Sequence, residues 1–370
     1  MATESYKAML GKRFSNAATK HDPRPNRQRT RATQLKTHLD AYDEDRYDGS
    51  MNLYERMNAN PNVRVKETLP GVFACNFTRK AFTKDIWDNE TTKARGLFID
   101  SKGNVLARGF DKFFGLDDWN GPTTEEYLKN VQYPVRVTTK ENGYLIIISS
   151  INGELTFLSK SGVTDYSRHA EEFFKKEYYP ETLGMINFLL KELNASLLVE
   201  FVDPFMDPHI VLYDSVELYL LAVVRNSEEY EVIHGGIEDV FIALGMGQDT
   251  YPYGSTLTKP NGWVVYDEQD LNDNIEKFKN SDLEGCVLMD ATGYMAKVKS
   301  NHYKSVKSHR SALNAVITKG EVNQKAQKVM NALALSNMNL NDYVVSGISG
   351  GTTIDLPRLV DDIGIDVFTS

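Results

Sequence analysis

Residues 135–150, Val135-Arg136-Val137-Thr138-Thr139-Lys140-Glu141-Asn142-Gly143-Tyr144-Leu145-Ile146-Ile147-Ile148-Ser149-Ser150, read as two strands split by one polar turn. The spacing predicts strands over 135–138 and 144–150, with a lysine, a glutamate, an asparagine and a glycine between them. A third strand follows over 154–159, and Asn152-Gly153 before it is the dipeptide of a type I′ hairpin. Outward from here the texture stays the same: short β-rich runs broken by Gly and Asn. Further strands are predicted over 96–100, 105–108, 197–201, 216–224, 285–290 and 294–299. Two helices interrupt them. Tyr166, Ala170, Phe173, Phe174 and Glu177 follow i, i+4, i+7, i+8 spacing, and Leu183, Ile186, Leu190 and Leu193 form a second stripe. After about 305 the pattern is again helical, with Val322, Ala326, Val329, Met330 and Leu333 on one face. Gly347 to Thr353 is glycine-rich but has no lysine where a Walker A loop needs one, so it reads as a turn.

The chain has 370 residues, 41% of them hydrophobic and 25% charged, enough for a buried core and roughly two to three domains. No run approaches the ~20 apolar residues of a membrane span, and the first residues lack the apolar core of a signal peptide. Cys75 and Cys286 are the two cysteines and lie far apart, which excludes a disulfide framework and a zinc ribbon. A soluble protein of the cytoplasm, or of the host cytoplasm if viral, is the expectation.

Net charge is −9, but it is unevenly spread. Residues 1–36 hold nine basic residues against Glu4 and Asp22, a net +7, which leaves −16 on the other 334. Such an arm could neutralise the phosphates of a nucleic acid; it could equally be a solvated terminus, or pair with Asp40, Asp43, Glu44, Asp45 and Asp48. The expected division is a basic arm over 1–36, an N-terminal subdomain over 37–90, a main domain over 91–300 and a helical C-terminal domain over 301–370.

There is no H-E-x-x-H, no G-x-S-x-G and no G-x-G-x-x-G after a strand. What remains is a set of lysines. Lys140 sits between two predicted strands, Lys160 ends another before Ser161-Gly162, and Lys297 and Lys299 are two apart on a third. Residues i and i+2 of a strand share a face, so Lys297 and Lys299 project together while Ala296 and Val298 turn the other way. Two ammonium groups on one face repel unless an anion lies between them, and phosphate is the natural candidate. Singly, each lysine reads as a solvated surface charge. Glu200 in Leu197-Leu198-Val199-Glu200-Phe201 and Glu284 before Gly285-Cys286-Val287 weaken that account, because a buried carboxylate needs a partner. A ribose or a metal ion would serve.

The order Lys-x-Asn-Gly at 140–143, Ser-Lys-Ser-Gly at 159–162, Val-Glu-Phe-Val at 199–202, Leu-Tyr-Leu-Leu-Ala-Val at 218–223, Glu-Gly-Cys-Val at 284–287 and Ala-Lys-Val-Lys-Ser at 296–300 resembles the motif series of covalent nucleotidyltransferases. More closely, it resembles single-stranded RNA ligases of the T-even phage RNA ligase 1 type and the adenylyltransferase domain of fungal tRNA ligases. Upstream, Ala94-Arg95-Gly96-Leu97-Phe98 and the 109–114 stretch around Lys112 resemble segments that those ligases carry before the nucleophile. One departure is Asn142, where most of the superfamily has Asp and fungal tRNA ligases resemble this chain.

The resemblance implies an α+β fold with largely antiparallel sheets around a nucleotide cleft, and an ATP-dependent RNA ligase working through a lysyl-AMP intermediate. Lys140 would be the nucleophile, with Lys297 and Lys299 on the α-phosphate. Arg95, Lys112 and Lys160 would engage phosphates, Glu200 the ribose, and Glu284 the metal, Mg²⁺ or Mn²⁺. Asn142 and Gly143 would belong to the ATP/AMP site, the glycine letting the backbone approach the nucleotide. Tyr219 would be a ring contact of the adenine pocket or simply part of a core strand. Tyr303 would join the site or be a plain surface aromatic, and His169 and His302 need no role. An unperturbed lysine titrates near ~10.4, so Lys140 would have to be brought down to about 7, with Mg²⁺ and the Lys297/Lys299 pair as the cations to do it.

The partners expected are RNA ends bearing a 5′-phosphate and a 3′-hydroxyl, with a separate kinase or phosphatase to prepare them, and a monomeric enzyme that touches no membrane. The alternatives are a non-catalytic RNA-end binding protein, or a DNA ligase or capping guanylyltransferase. These last two usually carry an OB-fold barrel after the Ala-Lys-Val-Lys element, and the helical stripe after 305 disfavours one.

Overall fold

The computed structural model describes residues 50–233, 235–243 and 257–369. The basic segment 1–36 and the acidic residues that follow it lie outside the described residues. In chain order the strands are β1 (Val63–Leu69), β2 (Val72–Phe77), β3 (Arg95–Ile99), β4 (Val105–Arg108), β5 (Phe114–Gly115), β6 (Val135–Thr139), β7 (Tyr144–Ile151) and β8 (Glu154–Ser159). They continue as β9 (Ala195–Val202), β10 (Glu217–Arg225), β11 (Leu257–Thr258), β12 (Gly262–Val265), β13 (Gly285–Met289), β14 (Met295–Lys299), β15 (Val344–Ser346) and β16 (Thr352–Ile354).

The fold is α+β and mostly antiparallel. Two five-stranded sheets, ordered β11-β10-β9-β7-β8 and β12-β6-β13-β14-β5, are joined by a four-stranded sheet, β1-β2-β3-β4. Only the short edge pairs β10–β11 and β14–β5 run parallel among the described strands. The β7–β8 turn has positive φ at both Asn152 (54°) and Gly153 (86°), as a type I′ turn requires. β9 is buried along its length except at Glu200, which is half-buried. Ser196, the other polar residue of β9, is buried on Asn226, so Glu200 marks where the strand faces something other than core.

Thr164 caps the Asp165–Glu177 helix by accepting from the Ser167 backbone N–H, and Ala170 and Phe174 on its inner face are buried. With Ile186 and Leu190 of the Pro180–Glu192 helix they cover one face of β7, β9 and β10, packing on Ile146, Leu197 and Val199. The other face of that sheet meets the four-stranded sheet through Ile147, Leu158, Leu198 and Phe98. A separate core under the second five-stranded sheet joins Val135, Val137, Leu288, Ala296 and Val298 to the Glu268–Lys279 helix. The expected alternation of β14 is present: Ala296 and Val298 are in that core, while Lys297 and Lys299 share the opposite, half-buried face.

After β14 the chain turns directly into the Asn301–Lys319 helix. Ser300 Oγ accepts from the Tyr303 N–H at 3.0 Å to start it. This helix packs with Gln324–Leu335 and the last two helices around Leu313, Val329, Ile354 and Leu359. The Gly347–Thr353 stretch turns between β15 and β16, with Gly347 N–H donating to the Gly351 carbonyl. No barrel follows β14 among the described residues. Val322 corrects the expected stripe: it precedes the Gln324–Leu335 helix and is exposed, since Asn323 caps that helix one residue later. The β1–β2 hairpin is hydrogen-bonded to β3. No helix among the described residues is long and apolar enough to cross a membrane.

Candidate active site

The Lys140-Glu141-Asn142-Gly143 turn is the crossing from one five-stranded sheet to the other. β6 enters it beside β13, and β7 leaves it beside β9. Lys140 N–H donates to the Gly285 carbonyl at 2.9 Å, which ties the turn to the start of β13. At the other end Gly143 N–H donates to Glu200 Oε1 at 3.2 Å. A side chain at Gly143 would not fit, because a Cβ there would lie 2.1 Å from the Phe201 carbonyl oxygen. The glycine is therefore required by contact with β9. Gly143→Ala is expected to cost about 1–3 kcal/mol or more of stability, as overpacking does, and chemical denaturation of the two proteins measures it.

Asn142 is buried and all its polar atoms are engaged. Its Nδ2 donates to Glu284 Oε2 at 2.9 Å, and its Oδ1 accepts from the Ile210 and Val211 N–H groups at 3.0 and 3.1 Å. Its own N–H donates to the Tyr213 hydroxyl at 2.8 Å, which in turn donates to Glu141 Oε2 at 3.0 Å. An amide suits this position because it must donate on one side and accept on the other.

Glu284 is the hub. Its Oε1 lies 2.9 Å from Lys140 Nζ, its Oε2 accepts from Asn142, and Tyr303 also hydrogen-bonds to it. Burial disfavours the charge on Lys140, yet Glu284 and Glu200 together outweigh it and raise its pKa. Burial is also the leading cause that lifts Glu200, to about 7, with the Glu284 charge adding to it against Lys140. Lys297 moves the other way. Burial, then Lys112, Lys299, Arg95 and Lys140, bring it down to about 6. The expected depression of Lys140 by the lysine pair is thus reversed in the free protein. The carboxylates stand beside Lys140, whereas the cations crowd Lys297.

The remaining predicted residues close the ring. Lys299 Nζ lies 3.5 Å from Asp118 Oδ2. Lys112 is buried, with Nζ 3.7 Å from the Phe114 ring centroid, and donates to the Phe113 carbonyl. Arg95 begins β3, and its buried Nη1 has no hydrogen-bond partner; burial lowers its pKa while Glu200 opposes this. Lys160 stands exposed at the rim, its pKa lowered by desolvation and by Arg95. Tyr219 lies opposite Glu200 in the β10–β9 register and is half-buried.

Tyr303 is not a surface aromatic, being 5% exposed and bonded to Glu284. Lys307, one helical turn on, donates to the Tyr303 hydroxyl at 3.3 Å, and its pKa is lowered first by burial and then by Lys299. Sequence reasoning missed Lys307 and Tyr213. The i, i+4 spacing from Tyr303 could have found Lys307, but nothing local marks Tyr213. His169, on the Asp165–Glu177 helix, pairs with Asp203 at 2.8 Å.

A family model described as RNA ligase, of the T4 RNA ligase 1 type, matches residues 93–303, more than half of the chain. The chain belongs to the RNA ligase family. The matched span runs from just before Arg95 to Tyr303 and includes every predicted site residue of this RNA ligase family member. Its relatives include tRNA ligase 1 of Schizosaccharomyces pombe, 27% identical over 156 residues, 38% of this chain and 20% of that one. The tRNA ligase of Candida albicans is 39% identical over 75 residues, 20% of this chain and 9% of that one. The chain therefore spans a fifth or less of those relatives' lengths. Among solved structures, an archaeal ATP-dependent RNA ligase aligns with a TM-score of 0.46 at 16% identity, covering 70% of this chain and 63% of that one.

Proposed function

We propose that this chain is an ATP-dependent RNA ligase that joins an RNA 5′-phosphate to a 3′-hydroxyl through a lysyl-AMP intermediate, in the repair of tRNA or another cleaved RNA. The observation that carries the reading is Lys140 held at 2.9 Å from a buried glutamate, inside a ring of cations that has an unpartnered buried arginine nitrogen. A buried guanidinium nitrogen without a partner, set among lysines, marks an anion site.

In the first step Lys140 Nζ forms a bond to the α-phosphorus of ATP, the bond to the bridging oxygen breaks, and pyrophosphate leaves with that electron pair. Lys140 must lose its proton for this. Activation therefore requires Glu284 and Glu200 to let go of the ammonium as the nucleotide binds, after which burial and Arg95 favour the neutral amine. Lys297, Lys299 and Arg95 offset the charge on the phosphoryl oxygens. An RNA 5′-phosphate oxygen then takes the adenylyl group from Lys140, and the RNA 3′-hydroxyl attacks that 5′-phosphate and releases AMP. Asn142 and Gly143 hold the turn, Tyr219 flanks the base pocket, and Lys112, Lys160 and Lys307 serve the outer phosphates.

No cluster of three metal-ligating side chains occurs among the described residues. Glu284, whose charge adds to burial in lifting neighbouring Glu200 to about 7, fits a divalent cation held jointly with substrate phosphates, and Glu200 fits the ribose. Mg²⁺ or Mn²⁺ bound there would neutralise phosphate charge. The enzyme acts as a monomer in the cytoplasm on ends that already carry the required groups, or after a separate kinase or phosphatase has prepared them.

The test is incubation with a divalent cation and ATP labelled at the α-phosphate, followed by single-stranded RNA with 5′-phosphate and 3′-hydroxyl ends. Label should appear on the protein, pass to RNA and end as free AMP with joined product. An unlabelled protein would reject nucleotidyl transfer, and a labelled protein that never joins RNA would reject the substrate.

Lys297 supplies a second test. With a pKa of about 6 it is mostly neutral at pH 7.5, and a phosphate beside it must raise that value, so binding takes up a proton. Calorimetric titration of AMP at pH 7.5 in buffers of different ionisation enthalpy should show up to about one more proton taken up by the wild type than by Lys297→Met. Equal uptake would remove Lys297 from the phosphate site.

A further inference from the structure

A line of aromatic rings leads from the lysine ring to the surface and ends in two rings that the nucleotide chemistry does not use. Phe114 meets Trp87 edge-on at 5.3 Å, Trp87 meets Phe77 at 5.1 Å, and Phe77 stacks on Phe82 at 6.4 Å. Phe82 then meets Trp119 at 6.2 Å and 90°. The inner rings are covered, but Phe82 is 42% and Trp119 60% exposed. Lys112 sits between Trp87 and Phe114, and Asp118, next to Trp119, holds Lys299. The pair thus stands at the edge of the phosphate site.

The turn that presents Trp119 is built to stay in place. Leu116 N–H donates to the Lys297 carbonyl and Gly121 N–H to the Asp118 carbonyl. A Cβ at Gly121 would lie 1.7 Å from the Gly115 oxygen, so the turn closes on itself without room for a side chain. The charge around the rings is positive: Arg79, Lys80 and Lys84 of the helix that carries Phe82 are exposed and form no ion pair among the described residues. The nearby carboxylates are engaged, Asp117 with Lys279, Asp118 with Lys299 and Asp85 with the Trp87 indole N–H.

We propose that Phe82 and Trp119 form a stacking platform for an unpaired RNA base next to the ends being joined, with the Arg79–Lys84 helix meeting the adjoining phosphates. Exposed aromatics set among unpaired cations match a single strand, whose bases offer π-faces and whose backbone offers negative charge. The inference deepens the ligase reading and rests on it for the chemistry of the ends.

The experiment measures two quantities on the full chain: adenylylation by labelled ATP, in which these rings take no part, and anisotropy of a short, fluorescently labelled, 5′-phosphorylated single-stranded RNA. Trp119→Leu, and Phe82→Ala with Trp119→Ala, should adenylylate within about twofold of wild type but bind RNA about 5- to 100-fold more weakly, the usual span for losing a stacked base. Trp119→Phe should keep most of the affinity, which a merely apolar contact would not distinguish from leucine. Unchanged RNA affinity in Trp119→Leu overturns the platform, as does an equal loss in Trp119→Phe and Trp119→Leu. A parallel fall in adenylylation would mean a damaged site and would also overturn it. If the wild type binds RNA but takes no label, the ligase reading fails while the affinity comparison still decides the platform.

Discussion

Lys140→Ala abolishes covalent labelling by ATP, with a loss of at least ~10³-fold expected when the attacking atom itself is removed. The measurement is the labelled band on a denaturing gel. Lys140→Arg should be as inactive, because a guanidinium stays charged near neutral pH. The protein should remain folded, since Glu284 keeps its hydrogen bonds from Asn142 and Tyr303 when its cation is gone. The structure also supplies a sharp rival. Lys297, at about 6, is an amine that is already mostly neutral near pH 7.5 in the free protein, and it lies close enough to Lys140 to feel that charge. A band that survives in Lys140→Ala and disappears in Lys297→Ala would move the nucleophile to β14.

Asn142→Asp should be the next most damaging change, despite being the smallest available. The amide nitrogen that donates to Glu284 at 2.9 Å becomes an oxygen, and two carboxylates then meet inside the protein. Such a pair shares one proton, so one of the two pKa values rises well above the usual carboxylate range. In the folded state that acid is raised, so the variant's stability relative to wild type is best near pH 4 and falls as pH rises through the raised value. Adenylylation should drop about 10- to 100-fold at pH 8 and recover in part toward pH 6, where the shared proton stands in for the amide hydrogens. A pH–rate profile parallel to that of the wild type would show that the Asn142–Glu284 bond does not matter. Asn142→Ala makes a useful companion. It spares Glu284 the repulsion but leaves the Ile210 and Val211 N–H groups without their acceptor.

The strands around the site were legible because each is a local pattern. β4 and β8 have the predicted bounds, and β3, β6, β7, β9, β10, β13 and β14 differ from theirs by one or two residues at one or both ends. β1 was missed, although the alternation Val63-Arg64-Val65-Lys66 is the pattern of a strand with one face toward solvent. β5 and β11, two residues each, exist only through their parallel partners in β14 and β10, and such pairings leave no periodic signal. The Glu268–Lys279 helix was likewise missed, though Leu271, Ile275 and Phe278 give it a core-facing stripe.

The sequence by itself determined the order of the motif elements, the type I′ turn at Asn152-Gly153 and the shared face of Lys297 and Lys299. All three follow from backbone periods and turn preferences that span a few residues. Tertiary structure alone decided which charges face each other. By carrying residues 140–143 from one sheet to the other, the fold sets Lys140 against Glu284 and Glu200 and leaves Lys297 among cations. The expected depression thus falls on Lys297 and not on Lys140. Burial and like-charge repulsion depend on neighbours far apart in the chain, and no local pattern encodes them.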